Sequence, residues 1–174
     1  FILLLLGFAE YLTLQKKLSR IKIRIHVNGT RGKSTVTRLI AAGLKAGGYK
    51  VLAKTTGTLP VVILDDGKEL VIHRRGRPTI REQERAVWLA AWRNVDAVVL
   101  ECMAIHPEYQ WASEHRMIGS TIGVITNVRD DHAEVLGRER RRVARALSTT
   151  IPQNGLLVTA ESEYFDYFRE KAER

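Results

Sequence analysis

His26-Val-Asn-Gly-Thr-Arg-Gly-Lys-Ser34 is the stretch on which the reading of this chain turns. Just before and into it, Ile21-Lys-Ile-Arg-Ile-His-Val27 alternates apolar and polar residues, as a strand does. After it, Ser34 to Ala46 carries Val36, Leu39, Ile40 and Leu44 at helical spacing and stops at Gly47-Gly48. A glycine-bearing turn between a strand and a helix is the setting that a phosphate-binding loop requires. Gly29 and Gly32 let the backbone fold around an anion with its N–H groups pointing inward. The helix opening near Lys33 adds the positive end of its dipole. In a loop of this kind Lys33 reaches the β- and γ-phosphates and the Ser34 hydroxyl binds Mg²⁺. The general spacing G-x-x-x-x-G-K-[ST] would place a glycine at position 27, where this chain has Val27.

Outward from the loop, strand and helix patterns alternate. Asp96 to Glu101 and Thr121 to Thr126 are continuous apolar runs, the mark of strands buried on both faces. Val51 to Ala53 reads as a short strand and Gly155 to Thr159 as another. Val61 to Leu64 and Leu70 to His73 flank Asp65-Asp66-Gly67-Lys68 as a surface hairpin would. Helical patterns cover Thr79 to Trp92, Glu139 to Leu147 and Tyr164 to Glu173. The alternation predicts an α/β fold of P-loop type: a mostly parallel sheet with helices on both faces. At 174 residues, 45% apolar and 27% charged, the chain is a globular domain, neither disordered nor fibrous. It begins at Phe1 and stops in a charged helical pattern at Arg174, which reads as a piece of something longer.

Other strand ends fall on the same edge of such a sheet as the phosphate loop, the edge where ligands of these folds bind. Glu101 closes one buried strand, placed to hold Mg²⁺ opposite Ser34. The strand ending at Thr126 runs into Asn127-Val-Arg-Asp-Asp-His132, bringing Asn127, Asp131 and His132 to the crevice. An imidazole and carboxylates can share a metal, and an amide can orient a phosphate or base. Lys54-Thr-Thr-Gly-Thr58 follows the second strand, and its hydroxyls either complete a metal shell or simply build a turn.

Phe1 to Phe8 reads FILLLLGF and is followed by Lys16, Lys17, Arg20, Lys22 and Arg24. Eight residues are under half of the ~20 that cross a bilayer. An apolar run with cations behind it matches the cytoplasmic end of a membrane anchor. The other reading is an amphipathic helix docked through Leu5, Phe8, Leu12 and Gln15. A cleavable signal peptide does not fit, since the cations follow the apolar run. The single cysteine, Cys102, excludes an internal disulfide framework and fits a reducing compartment. With 28 Lys and Arg against 19 Asp and Glu, the net charge of +9 favours acidic partners. Nucleic acid is not among them, because no aromatic platform is interleaved with the basic runs.

These residues, in this order, resemble the Mur ligase superfamily of ATP-dependent amide-forming ligases, which includes folylpolyglutamate synthases. The family's phosphate loop, G-T-x-G-K-[ST], matches Gly29-Thr30-Arg31-Gly32-Lys33-Ser34 and accounts for Val27. Its strand-end glutamate matches Glu101, and its N-x-x-x-D-H motif matches Asn127, Asp131 and His132. Thr55-Thr-Gly-Thr-Leu59 is similar to the loop whose serine binds a second Mg²⁺, which places Thr56 there. Within the superfamily the likeness is strongest to ligase subunits of poly-γ-glutamate (capsule) synthases. It is carried by Asn28 to Arg38, Lys54 to Thr58, Glu101 to Ala104, Pro107 to Gln110 and Ser162 to Tyr164.

The resemblance implies an N-terminal segment 1–20, hydrophobic then basic, and a partial ATP-binding ligase domain 21–174, inactive alone. It implies ATP and Mg²⁺ as cofactors. Asn28, Gly29, Thr30, Arg31, Gly32, Lys33, Ser34, Thr35 and Asn127 would bind nucleotide. Ser34, Thr56, Glu101 and His132 would hold metal, with Lys33, Glu101 and His132 as catalytic groups. The implied reaction phosphorylates a chain-terminal carboxylate for attack by the amine of glutamate. The implied partners are glutamate, the poly-γ-glutamate chain and membrane subunits of a synthase at the cytoplasmic face of the membrane, with homo-oligomerisation open. Related ligases carry a lysine, carbamylated in use, where this chain has Leu147, and no lysine occurs between His132 and Lys171. A P-loop kinase or NTPase acting on another acidic substrate shares Lys33 and Ser34 but leaves Glu101 and the Asn127–His132 motif without a role. The arginine clusters at Arg74 to Arg77 and Arg138 to Arg145 read as guides for an acidic polymer, or as solvated faces and interfaces.

Overall fold

Five parallel strands carry the computed structural model, which describes residues 2–57, 59–74, 76, 78–130 and 139–174. In chain order the elements are α1 (Ile2–Leu18), β1 (Ile23–Asn28), α2 (Lys33–Ala46), β2 (Val51–Thr55), β3 (Val61–Ile63), β4 (Glu69–Val71), α3 (Arg81–Trp92) and β5 (Ala97–Glu101). There follow α4 (Pro107–Ala112), a π-helical continuation (Ser113–Ile118), β6 (Ile122–Ile125), α5 (Arg140–Ser148), β7 (Leu156–Thr159) and α6 (Phe165–Ala172). The sheet order is β4-β3-β2-β5-β1-β6-β7, with β3 and β4 antiparallel at one edge. The predicted α/β class and the hairpin at Asp65–Lys68 both hold.

Side-chain parity along the central strands divides the core. Ile25, Val27, Val51, Ala53, Ala97 and Val99 face α2, which contributes Val36, Ile40, Ala41 and Leu44. Leu52, Val98 and Leu100 face the opposite way, against Ala86, Val87 and Ala90 of α3. Strands covered on both sides must be apolar at successive positions, which is why Ala97-Val-Val-Leu100 reads as an unbroken run. A third cluster joins Ile125 and Val128 to Val143, Ala144 and Leu147 of α5 and Phe168 of α6.

At the N-terminus α1 does dock, but through a different face from the expected one. Leu14 and Leu18 are buried against α3, together with Ile21, while Leu5, Phe8 and Leu12 are exposed. Ile21 falls outside β1 because its N–H caps α1, bonding the Leu18 carbonyl at 3.0 Å. Lys17 adds its ammonium 4.1 Å from the centre of the Trp88 ring. The first turns, Ile2 to Leu6 with Phe8, stand clear of the domain. Among the described residues no helix is long and apolar enough to cross a membrane.

Pro107 to Ile118 forms a structure that the apolar pattern does not announce. Gln110, Ser113 and Glu114 are buried, although their residue types suggest a wet helix face. Glu114 accepts from His26 Nδ1 at 2.8 Å and from both the N–H and the hydroxyl of Ser120 at 2.8 Å. The strand thus carries a buried His26 whose partner arrives from the π-helical turn. Burial opposes the charged imidazole, but the Cys102 thiol beside it and the Glu114 carboxylate outweigh that cost and push His26 up to about 10. Burial likewise opposes the Glu114 carboxylate, but His26 and Ser120 hold it below the usual range.

A raised histidine contributes stability that is complete below its unfolded value and is lost as pH climbs through the folded one. A lowered carboxylate contributes above its unfolded value and loses this as pH falls. The pair is therefore strongest in the mildly acidic to neutral range. Urea denaturation of the wild type should show stability falling between pH 7 and 10. Glu114→Gln should lose about 3 kcal/mol at neutral pH, as expected for halving a buried ion pair. An unchanged urea midpoint in the variant, or a flat alkaline profile in the wild type, would contradict this.

Candidate functional site

The parallel register of β2, β5, β1 and β6 delivers four strand ends to one edge. The phosphate-type loop leaves β1 at Asn28 and is bracketed by the segment after β6. Thr30 N–H donates to the Asn127 carbonyl at 3.0 Å, and Arg31 N–H to Asn127 Oδ1 at 3.1 Å. Asn127 Nδ2 and the Thr126 hydroxyl both donate to the Arg31 carbonyl, at 3.0 and 2.7 Å. Thr30 Oγ1 accepts from Arg129 N–H at 2.9 Å. Asn127 therefore holds the loop's backbone, a role its residue type alone does not reveal.

The two loop glycines are needed for different reasons. Gly29 has φ 129°, and a Cβ there would lie 2.1 Å from Thr126 Oγ1 and 2.9 Å from the Thr126 amide. Gly32, the residue before α2, has φ 80° with nothing within 4 Å of a built Cβ. Its side is open to an incoming group. No side chain caps α2 at this position, so its first amides are left to face the loop's mouth. Lys33 folds back over the loop, donating to the Gly29 and Thr30 carbonyls at 2.7 and 3.2 Å.

At the centre lies Glu101, buried at the end of β5. One carboxylate oxygen, Oε2, accepts from the Ser34 hydroxyl at 2.8 Å and from Thr56 N–H at 2.7 Å. The Glu101 backbone carbonyl accepts from Gln83 Nε2 of α3 at 2.8 Å, and Gln83 is fully buried. Asn28 Nδ2 donates to Gln110 Oε1 at 2.8 Å and to Thr150 Oγ1 at 3.1 Å, fixing the start of the loop. A cleft of about 240 Å³ opens over these groups, lined on its polar side by Asn28 to Thr30, Lys33, Thr56 and Glu101. Val143 and Leu147 of α5 supply part of its apolar wall. Leu147 thus lies at the cleft, where its hydrocarbon offers no metal ligand. Thr35 is exposed on the first turn of α2, and Arg31 is exposed on the loop.

Sequence reading expects Ser34, Thr56, Glu101 and His132 around metal; the Ser34 hydroxyl does meet Glu101, whereas Thr56 reaches it through its backbone amide and not its hydroxyl. Asp131 and His132, with Thr58, Arg75, Arg77 and Arg138, lie outside the described residues. Among the described residues no cluster of three His, Cys, Asp or Glu side chains is formed. One carboxylate and one hydroxyl at the mouth of an anion-binding loop still suit Mg²⁺, which takes few protein ligands and shares phosphate oxygens and waters. The open face at Gly32, the uncapped amides and the Lys33 ammonium suit a triphosphate.

Below this floor is an ionic group that the sequence does not announce. Lys54 Nζ is buried 3.6 Å from Glu82, which also accepts from Arg74 at 2.8 and 3.0 Å. Burial pushes the Lys54 ammonium down, and Glu82 works to keep it charged. Glu82 and Gln83 occupy the first turn of α3, where charged residues normally signal a solvated face. The only signal in sequence was a lysine inside a strand otherwise destined for burial.

The loop between β1 and α2, the strand-end glutamate and the mostly parallel sheet define an α/β domain with its candidate site at the carboxyl ends of the strands. The family profile of the Mur ligase middle domain matches residues 27–174, and the chain belongs to that family. It is 46% identical over 173 residues to the capsule biosynthesis protein CapB of Bacillus anthracis, covering 98% of this chain and 37% of that protein. It is 40% identical over 173 residues to the PGA synthase CapB of Bacillus subtilis (strain 168), covering 98% of this chain and 44% of that one. The chain thus spans less than half the length of these relatives. In structure it is similar to E. coli FolC in complex with DHPP and ADP, with a TM-score of 0.68 at 21% identity, covering 94% of this chain and 44% of that one. A bifunctional folylpolyglutamate synthase/dihydrofolate synthase from Yersinia pestis CO92 matches with a TM-score of 0.71 at 18% identity, over 94% of this chain and 44% of that one. At such identities the likeness is one of fold.

Gly32→Ala should cost about 1–2 kcal/mol from backbone strain alone. Gly29→Ala should cost clearly more, because its methyl group collides with Thr126 as well. Denaturation midpoints of the two variants check this; equal losses would contradict the loop geometry.

Proposed function

We propose that this chain is the nucleotide-binding part of an ATP-dependent acid–amino-acid ligase of poly-γ-glutamate synthesis. The observation that carries the reading is the convergence of the Ser34 hydroxyl and the Thr56 amide on Glu101, beside a loop clamped open at Gly32. The two CapB relatives, one named for capsule biosynthesis and one as a PGA synthase, support the polymer.

In this reading a chain-terminal carboxylate attacks the γ-phosphorus of ATP, the bond to the β-phosphate oxygen breaks, and ADP leaves. The glutamate amine then attacks the acyl carbon, phosphate departs with the bonding electrons, and the amine's proton passes to solvent. Lys33 swings from the Gly29 and Thr30 carbonyls onto the phosphate oxygens and offsets the charge that builds there. The loop's amides, presented by Gly29, Thr30, Arg31 and Gly32 and by the first turn of α2 with Thr35, orient the phosphates, while Asn28 and Asn127 keep the loop in shape. Ser34, Glu101, Thr56 and His132 are the proposed holders of Mg²⁺, which would neutralise phosphate charge when bound. Val143 and Leu147 keep water away from the acyl group. Leu147 leaves the metal to be completed by ligands other than a lysine carbamate.

The exposed apolar end of α1, with Lys16, Arg20 and Lys22 behind it, supports placement at the cytoplasmic face of the membrane, beside membrane subunits of a synthase. Glutamate and the poly-γ-glutamate chain are the proposed substrates, and nucleic acid is not a partner.

In the full-length protein, Lys33→Ala should abolish MgATP binding in titration calorimetry. ADP release by the wild type should depend on both glutamate and an acidic acceptor. Unchanged nucleotide affinity in the variant, or a stable phosphorylated product without amide formation, would contradict the ligase reading and favour a kinase.

A further inference from the structure

The helix that walls the cleft presents a second surface on its far side. Along α5, Val143 and Leu147 line the cleft, and Ala144 and Ala146 are also buried. At 3.6 residues per turn, Arg141 and Arg145 stand about 160° and 200° around the helix from Val143. Both are exposed, and with Arg142 and Glu139 they line a surface hollow of about 290 Å³.

The charge on this face is not balanced within the described residues. Arg140 pairs with Asp130 at 3.2 Å and with Glu163 at 3.4 Å, and Arg142 reaches Glu139 at 3.7 Å. Arg141 and Arg145 have no carboxylate partner among the described residues. They are like charges four apart on one helix, an arrangement that weakens the helix. The first turn of α5 carries arginines and no acid, against the helix dipole. Among the described residues no local contact accounts for these cations, whereas a polyanion laid across them would. Arginine's flat, forked donor set suits carboxylates in particular. The described face offers no aromatic side chain on which a base would stack, which favours a polycarboxylate over nucleic acid.

We propose that the outer face of α5, through Arg141 and Arg145, binds the body of the acidic polymer whose end reacts in the cleft on the inner face. This rests on the ligase reading for the polymer's identity and deepens it. An α-helix with its side chains is ~10 Å across, and a γ-linked glutamyl residue, with two more backbone carbons than an α-linked one, spans roughly 6 Å extended, so the arginines would meet carboxylates about two residues behind the reacting end. Discrimination by chain length follows. Short acceptors fill the cleft without reaching the arginines; long ones engage both.

The test uses the full-length protein with Arg141→Glu/Arg145→Glu and with Arg141→Gln/Arg145→Gln. Calorimetry with long poly-γ-glutamate should show affinity falling about tenfold or more for the charge reversal and less for the neutral pair. The wild type's affinity should fall with added salt. Turnover of an acceptor of one or two residues, and MgATP affinity, should stay at wild-type values in both variants, which also reports that they are folded. Unchanged affinity for the long polymer in the charge reversal would overturn the proposal. So would a single-stranded oligonucleotide of equal charge that competes as well as the polymer. A wild type that binds the long polymer through these arginines but forms no amide from ATP would uphold the surface and sink the ligase reading alone.

Discussion

Glu101 is the group on which this arrangement hangs. Its carboxylate is buried, and a buried carboxylate must be met by donors or it destabilises the fold by several kcal/mol. Those donors come from separate pieces of chain, the Ser34 hydroxyl at the start of α2 and the Thr56 amide after β2. Gln83 of α3 secures the same residue's backbone carbonyl. This convergence is possible only because β5 lies between β2 and β1 and parallel to both. The sheet order, the loop between β1 and α2 and the proposed metal site are thus one constraint seen at three scales.

On the far side of β1 the loop is held by β6. Thr126, Asn127 and Arg129 hydrogen-bond to the loop backbone or to Thr30, so the concave shape exists before any ligand arrives. Asn28 is locked from below by Gln110 and Thr150. A preformed cradle of this kind loses less conformational freedom on binding than a flexible one. In the proposed reading only Lys33 has to change partners, from the Gly29 and Thr30 carbonyls to a phosphate.

Much of this was legible in sequence for a plain physical reason: the elements with strong periodicity are those that fill the core. β1, α2, β5 and β6 lie close to their expected positions, and Ser34 and Glu101 come together at the ends of their elements, with Thr56 joining them by its backbone amide. What escaped was polar burial. Gln110, Glu114, Glu82 and Gln83 look like solvent-facing residues, because a residue's type does not tell that its partner arrives from elsewhere in the chain. His26 needs Glu114, 88 positions away, and Lys54 needs Glu82. At the N-terminus the helix was legible but its docking face was not. Every turn from Ile2 to Leu18 offers leucine or another large apolar residue, so composition could not single out Leu14 and Leu18. Leu147 was legible as a departure from the family pattern, and its place in the cleft wall gives that departure a physical meaning.

The central claim is that one divalent ion joins Ser34 and Glu101 to the tail of a nucleotide in this cleft. Its most direct test is a crystal structure of the full-length protein with Mn²⁺ and a non-hydrolysable ATP analogue, the metal located by anomalous scattering. The account predicts an anomalous peak within coordination distance of Ser34 Oγ, with Glu101 turned toward it and the terminal phosphate under the amides at Gly32. A nucleotide bound away from the 28–34 loop, or a metal peak remote from both side chains, would contradict it.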